Sequence, residues 1–250
     1  MTARAASSKP GARRGTNRLL PFLRLSVGLF LGVSATAPVE AQIAGSVGFD
    51  SDYRLRGYSL TEGHPAFFAQ ASYDDPSGFY LGLSGLAVVS DDPRFLGVIG
   101  NAGYARRVGK HATIDAGLLR SQIRRAVPGD AGFEYTEVYA GAYVGPVTAR
   151  LYYSPDYRTS RQPTLYGELE AHVDPLPKWR LSSHLGLLTY LSSTAYYPPE
   201  ETHGDWRISA VRQIGEFELH AALSGGSPNT YFGFRLHRRT ALTLGGSVTF

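Results

Sequence analysis

The stretch Ala241-Leu242-Thr243-Leu244-Gly245-Gly246-Ser247-Val248-Thr249-Phe250 alternates apolar with small or polar side chains, and this alternation is typical of a β-strand with two unlike faces. Successive side chains of an extended strand point to opposite faces. One face therefore carries Leu242, Leu244, Val248 and Phe250, and the other carries Thr243, Gly245, Ser247 and Thr249. The first face is apolar, and the second is small and polar.

Four residues of this stretch, Thr243, Gly245, Val248 and Phe250, also have the spacing polar-x-Gly-x-x-apolar-x-aromatic. The spacing resembles the insertion signal in the last strand of bacterial outer-membrane β-barrels, and this resemblance implies recognition by the barrel-assembly machinery. The alternative is an ordinary terminal strand of a soluble β-sandwich. The strand by itself does not separate the two.

The first 41 residues have the form of a cleaved export signal. Basic residues precede an apolar run from Leu25 to Val33, and Val39-Glu40-Ala41 has the small-residue form of a signal-peptidase site. The run is too short and too interrupted for a spanning helix of about 20 residues. We therefore predict a signal peptide over residues 1–41, which directs export through the periplasm, and one domain over residues 42–250.

Loss of the signal peptide changes the charge balance. The full chain has 25 Lys and Arg against 21 Asp and Glu. Six of the basic residues and one acid, Glu40, lie in the first 41 residues, so 19 basic and 20 acidic residues remain in the predicted domain. The domain is near neutral, and its charge gives no reason to expect nucleic acid as a partner. The absence of cysteine excludes thiol chemistry and Cys-ligated zinc, and no cofactor is expected.

The period of two recurs along the predicted domain, and helical spacing does not compete with it in any window. Ala44–Tyr58, for example, puts Val47 and Phe49 on one side and Asp50 on the other. The pattern predicts twelve strands, near 44–58, 65–73, 79–89, 95–107, 112–124, 133–144, 147–154, 163–173, 179–191, 205–213, 217–224 and 239–250. Tyr231–His237 alternates as well, but single-chain bacterial barrels have an even number of strands. We assign this segment to the last outer loop or to a strand extension.

Two features favour lipid as the solvent of the apolar faces. These faces are continuous over nearly the length, about 9 to 11 residues, that a tilted spanning strand needs. Aromatic residues also gather toward the predicted strand ends, where an interfacial belt would lie: Tyr73, Phe79, Tyr80, Tyr104, Tyr143, Tyr153 and Tyr190. We therefore expect an all-β fold, a transmembrane antiparallel up-and-down β-barrel of about 12 strands, in contact with the lipid of the bacterial outer membrane.

Four blocks of the chain carry a family resemblance. Ser51-Asp52-Tyr53-Arg54-Leu55-Arg56-Gly57-Tyr58-Ser59 resembles the SDYRFRG-x-S signature of TorF-type porins of Gram-negative bacteria, with Leu55 where Phe is usual. Ser77–Gly82, Tyr135–Gly141 and Tyr152–Tyr157 are similar to later blocks of that family, in the same order. The resemblance implies an outer-membrane barrel that is called a porin by analogy. It implies no defined substrate and no catalytic residues.

Charged residues at inward positions are candidates for a constriction of the lumen. We select Asp50, Asp52, Arg54, Arg56, Arg150, Glu168 and Glu170. One hypothesis is that such residues, with Arg54 and Arg56 leading, filter small hydrophilic solutes. The alternative is that these charges pair with one another across neighbouring strands and stabilise a narrow or closed lumen.

The function expected from these observations is passive diffusion of small hydrophilic solutes or ions. A hydrolase barrel is a weaker alternative, because neither Gly-x-Ser-x-Gly nor His-Glu-x-x-His occurs, and no catalytic or metal-binding residue is predicted. A structural or adhesive barrel is another alternative. Its working part would be an outer loop such as Ser192–Gly204.

Overall fold

Every long strand of this chain takes its partners from its neighbours in sequence, and the first strand closes on the last. A computed structural model describes residues 41–124, 132–157, 162–192, 202–227 and 240–250. The barrel strands are β1 (Gln42–Asp50), β4 (Ala66–Asp74), β5 (Phe79–Val88), β6 (Arg94–Val108), β7 (Ala112–Ile123), β8 (Phe133–Val144), β9 (Val147–Ser154), β10 (Thr164–Leu176), β11 (Trp179–Tyr190), β12 (Thr202–Ile214), β13 (Phe217–Gly226) and β14 (Thr240–Thr249). Two short strands, β2 (Arg54–Leu55) and β3 (Tyr58–Ser59), pair only with each other. In the described ranges, no helix is long and apolar enough to span a membrane.

The closing seam lies between β1 and β14. Its register pairs Ser46 with Thr249 and Asp50 with Gly245. The backbone N–H of Phe250 donates to the carbonyl of Gly45 at 2.9 Å, and the N–H of Gly45 donates to the carbonyl of Phe250 at 2.9 Å. The predicted closed antiparallel barrel of twelve strands is confirmed. The seam pairs residues 46–50 of β1 with residues 245–249 of β14. A sheet in hydrocarbon requires such closure, because lipid cannot bond to its backbone groups.

The two faces of the wall differ in polarity. Outward leucines are widely exposed, such as Leu118 (54%), Leu185 (59%) and Leu242 (66%). Inward charged residues are buried, such as Asp115 (4%) and Glu137 (0%). Apolar side chains in this number could not face water without aggregation, so the outer wall is solvated by lipid and the barrel is transmembrane.

The links at one end of the barrel are short, and those at the other end are longer. Tight turns follow β4, β6, β8, β10 and β12. Gly145 and Gly215 occupy two of these turns with φ of 57° and 64°, a region that glycine enters without steric cost. The longer links lie at the opposite end, and one of them joins β1 to β4.

That link contains the main departure from the predicted strands. The predicted strand over residues 44–58 is wrong, because β1 ends at Asp50. Residues 51–64, the inward segment, fold back into the lumen, and the β2–β3 hairpin forms their centre. Arg56 and Gly57 form the turn with φ of 48° and 79°. A pattern of alternation cannot show this, because a short hairpin alternates as a long strand does.

The predicted aromatic belt is only partly correct. Phe79 (62%), Tyr104 (41%) and Tyr153 (41%) point outward, whereas Tyr80 (6%) and Tyr190 (5%) are buried in the lumen. Phe79 and Tyr80 are consecutive in one strand and cannot share a face. The predicted signal peptide and the Tyr231–His237 segment lie outside the described residues, except for Ala41.

A charge on the lipid face provides a test of this orientation. We expect Leu185→Arg, in the middle of β11, to lower the free energy of unfolding by about 2–4 kcal/mol, because hydrocarbon cannot solvate the guanidinium. Leu176→Arg, at the end of β10, is the matched control and should cost about 0–1 kcal/mol. Urea unfolding from phospholipid vesicles measures both. Equal costs at the two positions would contradict a spanning wall.

Candidate functional site

The inward segment is held in shape by hydrogen bonds to Asp52. The Asp52 carboxylate accepts from Arg54 Nη1 at 3.1 Å, from Thr61 Oγ1 at 3.0 Å, and from the hydroxyl of Ser59. Arg54 Nη2 also donates to the carbonyl of Gly57 at 2.7 Å. Asp52 and Arg54 therefore organise the segment itself, and do not stand on the wall as the sequence predicted.

Arg56, at the hairpin turn, reaches the wall. Its Nη1 and Nη2 donate to the two carboxylate oxygens of Glu137 in β8 at 2.9 and 2.8 Å. The side chains of Arg56 and Glu137 are 9% and 0% exposed. A two-point contact of this kind fixes the planar guanidinium in both distance and orientation.

Four tyrosine rings surround the same guanidinium. The Arg56 Cζ lies 3.9 Å from the ring centroid of Tyr166, 5.3 Å from Tyr152, 5.4 Å from Tyr157 and 5.9 Å from Tyr135. We call these four residues the tyrosine cage. Each ring face is negative and attracts the cation. Burial acts to lower the pKa of Arg56, but the Glu137 carboxylate holds this pKa well above its ordinary value, so the group stays charged.

The hairpin crosses the lumen. The segment leaves the wall between β1 and β4, and Arg56 contacts β8, β9 and β10, which lie opposite that junction in the strand order of the closed barrel. Gly57 lies against β12 and β13. A Cβ at Gly57 would be 3.0 Å from the Cβ of Asp205 and 3.2 Å from the carbonyl oxygen of Gly225. Only glycine allows this approach together with a positive φ. The inward segment therefore lies across the lumen.

A second buried cluster forms around Arg150 in β9. Arg150 Nη2 lies 3.7 Å from Asp115, and Nη1 lies 3.9 Å from Glu168, which is its direct partner in the β9–β10 register. Tyr80 donates to Asp115 at 2.8 Å, and Tyr152 donates to Glu168 at 3.0 Å. One arginine thus balances two buried carboxylates, and tyrosine hydroxyls supply further hydrogen bonds to them.

A third cluster is centred on His184 in β11. Its Nε2 lies 2.9 Å from Asp205, and its Nδ1 lies 3.3 Å from Glu170. Arg207 adds an ion pair to Glu170 at 3.6 Å. Tyr166 donates to Asp205 at 3.1 Å and so links this cluster to the tyrosine cage. Among the described residues, no group of three or more His, Asp or Glu has the geometry of a metal site.

Asp50 is paired across the closing seam. His220 Nε2 in β13 lies 2.6 Å from Asp50 Oδ1 in β1, and β14 runs between them. The contact passes over Gly245, where a Cβ would overlap both side chains and the carbonyl oxygen of Phe49. This gives Gly245 a structural role in addition to its place in the predicted insertion signal.

The sequence candidates therefore have two different positions. Asp50, Arg150, Glu168 and Glu170 lie on the inner wall, and Asp52, Arg54 and Arg56 lie in the inward segment. The alternation of the sequence also places Glu137 on the inward face, although Glu137 is not one of the seven constriction candidates. The inward tyrosines have no predicted role, but the same alternation identifies them, because Tyr135 and Tyr139 share a face with Glu137 in β8.

Three residues of the predicted insertion signal, Thr243, Gly245 and Val248, lie in β14 and do not all share one face. The fourth, Phe250, directly follows the strand. Thr243 is 7% exposed and donates from Oγ1 to the carbonyl of Ala222 at 3.3 Å. Val248 pairs with Val47 and Phe217. Phe250 is 77% exposed on the outer surface. Their recognition by assembly machinery stays a prediction.

Residues 34–225 match the sequence profile of Gcw_chp, a bacterial protein family of unknown function. The chain belongs to this family. Comparison with curated proteins finds no match. The Gcw_chp barrel is similar to the KdgM porin, with a TM-score of 0.53 and 11% identity over 83% of this chain and 99% of that chain. It is also similar to the NanC porin, with a TM-score of 0.56 and 9% identity over 83% of this chain and 99% of that chain. At these identities, the likeness shows the porin fold.

The Arg150 cluster leads to a prediction on stability. Arg150→Ala leaves Asp115 and Glu168 buried without their counter-charge, so we expect a loss of roughly 3–5 kcal/mol. Arg180→Ala is the matched control, because Arg180 pairs at 2.7 Å with Asp174, whose side chain is 55% exposed. It should cost up to about 1 kcal/mol. Urea unfolding in vesicles compares the two, and similar losses would show that the buried cluster is not a stabilising unit.

The seam gives a second prediction. Gly245→Ala would force Asp50 and His220 apart and press on the backbone of β1, so we expect destabilisation by about 1–3 kcal/mol. Gly167→Ala is the control, because the nearest atom to a Cβ there is Leu151 Cδ1 at 3.8 Å. It should change stability by no more than about 0.5 kcal/mol. A neutral Gly245→Ala in the same unfolding assay would contradict the crossed contact.

Proposed function

We propose that this protein is an outer-membrane channel for passive diffusion of small hydrophilic solutes or ions. The observation that carries the proposal is a closed barrel with an apolar outer wall and a charged inner wall. Charges such as Glu137 and Arg150 point into the lumen and away from the lipid. Inward charges of this kind are typical of a barrel with a polar passage. The similarity of fold to the KdgM and NanC porins supports the same function.

The proposal includes a family of porins and a route to the outer membrane. Four sequence blocks support membership of the TorF-type porins. The Thr243, Gly245, Val248 and Phe250 spacing supports delivery to the outer membrane by the barrel-assembly machinery, after export through the periplasm. The outward position of Phe250 agrees with a lipid-exposed signal.

A barrel without an open pore is the second candidate, and one observation favours it. The inward segment crosses the lumen, and Arg56 is engaged with Glu137 and the tyrosine cage. Arg54 is engaged with Asp52. In this conformation the two arginines are not free to filter solutes as a constriction. Conduction would therefore require the inward segment to move.

A shortened loop separates the two candidates. Asp50 and Ala66 are partners in the β1–β4 register, so a short Gly/Asn turn in place of residues 52–63 can join them. We expect discrete conductance in planar bilayers for the full chain, and a conductance several-fold larger for the shortened variant, because the barrier is gone. Circular dichroism provides the control that both barrels are folded.

The outcomes differ for each candidate. A silent full chain with a conducting shortened variant would favour the closed barrel with a plug. Silence of both folded proteins would overturn the channel proposal.

A further inference from the structure

The lumen wall is more acidic than basic. Between the rims, the inward carboxylates of the described wall are Asp50, Asp115, Glu137, Glu168, Glu170 and Asp205. The inward basic groups are Arg150, Arg207, His184 and His220, and the two histidines contact Asp205, Glu170 and Asp50. The hairpin brings Arg56 to this wall, whereas Arg54 is paired with Asp52 within the inward segment. The electrostatic potential of the wall therefore attracts cations, and the positive charge of the hairpin lies in this potential.

The contacts of Arg56 are those of a bound ligand. A planar cation lies over the Tyr166 ring, and its two terminal nitrogens, Nη1 and Nη2, donate to one carboxylate end-on. Aromatic faces and a buried carboxylate are the groups that recognise a guanidinium or ammonium solute. Two further carboxylates bind the outer side of the cage: Asp205 accepts a hydrogen bond from the hydroxyl of Tyr166, and Glu168 accepts one from the hydroxyl of Tyr152. An anion would meet these carboxylates and be repelled.

Arg56 occupies the site and is carried by the short β2–β3 hairpin. The β2–β3 ladder has two residue pairs, Arg54 with Ser59 and Leu55 with Tyr58. Arg56 itself has a φ of 48°, a left-handed conformation that residues with a Cβ adopt at a cost. Glu137, in contrast, lies in the middle of a long strand of the barrel wall. Glu137 is therefore fixed in the barrel wall, whereas Arg56 is carried by a short hairpin and is the part that can leave.

We infer that Glu137 and the tyrosine cage form a binding site for small organic cations with a guanidinium or ammonium group, and that Arg56 is an internal ligand which such a cation displaces. This inference rests on the proposed channel function and names its solute class. Entry of the solute cation would free the hairpin from β8, β9 and β10. The freed hairpin could then move, and it would no longer lie across the passage.

The test uses a substitution that empties the site of the Arg56 guanidinium and keeps the backbone of the turn. Arg56→Gly removes the guanidinium, and glycine adopts the observed φ without cost. It leaves the Glu137 carboxylate buried without this counter-charge, which favours uptake of a cation. The probe is n-propylguanidinium, which copies the arginine side chain from Cβ outward, and propionate is the anionic comparison. Isothermal titration in detergent measures binding to the full chain and to the variant.

We expect Arg56→Gly to bind n-propylguanidinium at least about tenfold more tightly than the unaltered chain, which must first displace Arg56. Adding Glu137→Gln should cancel this gain. Adding Glu134→Gln instead is the matched control, because Glu134 lies three residues earlier in β8 on the outward face, with a 62% exposed side chain. That control should bind as Arg56→Gly does, and propionate should bind to none of the variants.

Three results would overturn the inference: equal affinity of the unaltered chain and Arg56→Gly, no effect of Glu137→Gln, or comparable binding of propionate. If Arg56→Gly does not fold, Arg56→Asn replaces it, because asparagine also tolerates this backbone region. Binding in detergent needs no conduction. Conductance without cation binding would therefore overturn only this inference, and binding without conductance would overturn only the channel.

Discussion

Backbone hydrogen bonding in hydrocarbon is the constraint on which this structure depends. Lipid offers no partner for an N–H or a carbonyl, so a sheet that spans a membrane must close on itself. The seam between β1 and β14 meets this requirement, and the paired backbone bonds of Gly45 and Phe250 extend it beyond the last strand residue. Once the sheet is closed, every strand has one face in lipid and one in the lumen. The alternation of side chains follows from that division.

The narrow lumen imposes a second constraint, which glycine and tyrosine meet together. Large inward side chains extend over glycines of the adjacent strand: the hydroxyl of Tyr80 lies over Gly103, that of Tyr139 over Gly117, and that of Tyr166 over Gly186. The same arrangement lets Asp50 and His220 meet over Gly245. Tyrosine suits this place because its ring fills space while its hydroxyl binds buried carboxylates. The interior is thereby packed and polar at once.

These features connect the architecture to the proposed function. A wall with more carboxylates than basic groups holds the hairpin through Arg56, and the Arg56–Glu137 pair is the contact between them. Neither charge could remain buried alone without a large cost. Arg56 thus attaches the hairpin to the wall, and a solute cation that took its place at Glu137 would release it.

The sequence alone determined the barrel. The placement of Leu185 and Leu242 outward and of Glu168 inward follows from a period of two, because a strand allows only two directions for a side chain. The turns were also accessible, because Gly145 and Gly215 mark them locally. Only the tertiary structure decided where residues 51–64 go and which charges pair. Arg56 and Glu137 are 81 positions apart, and their contact depends on how far a hairpin reaches across a closed lumen. Such a distance is set by the curvature of all twelve strands, and local alternation carries no information about it.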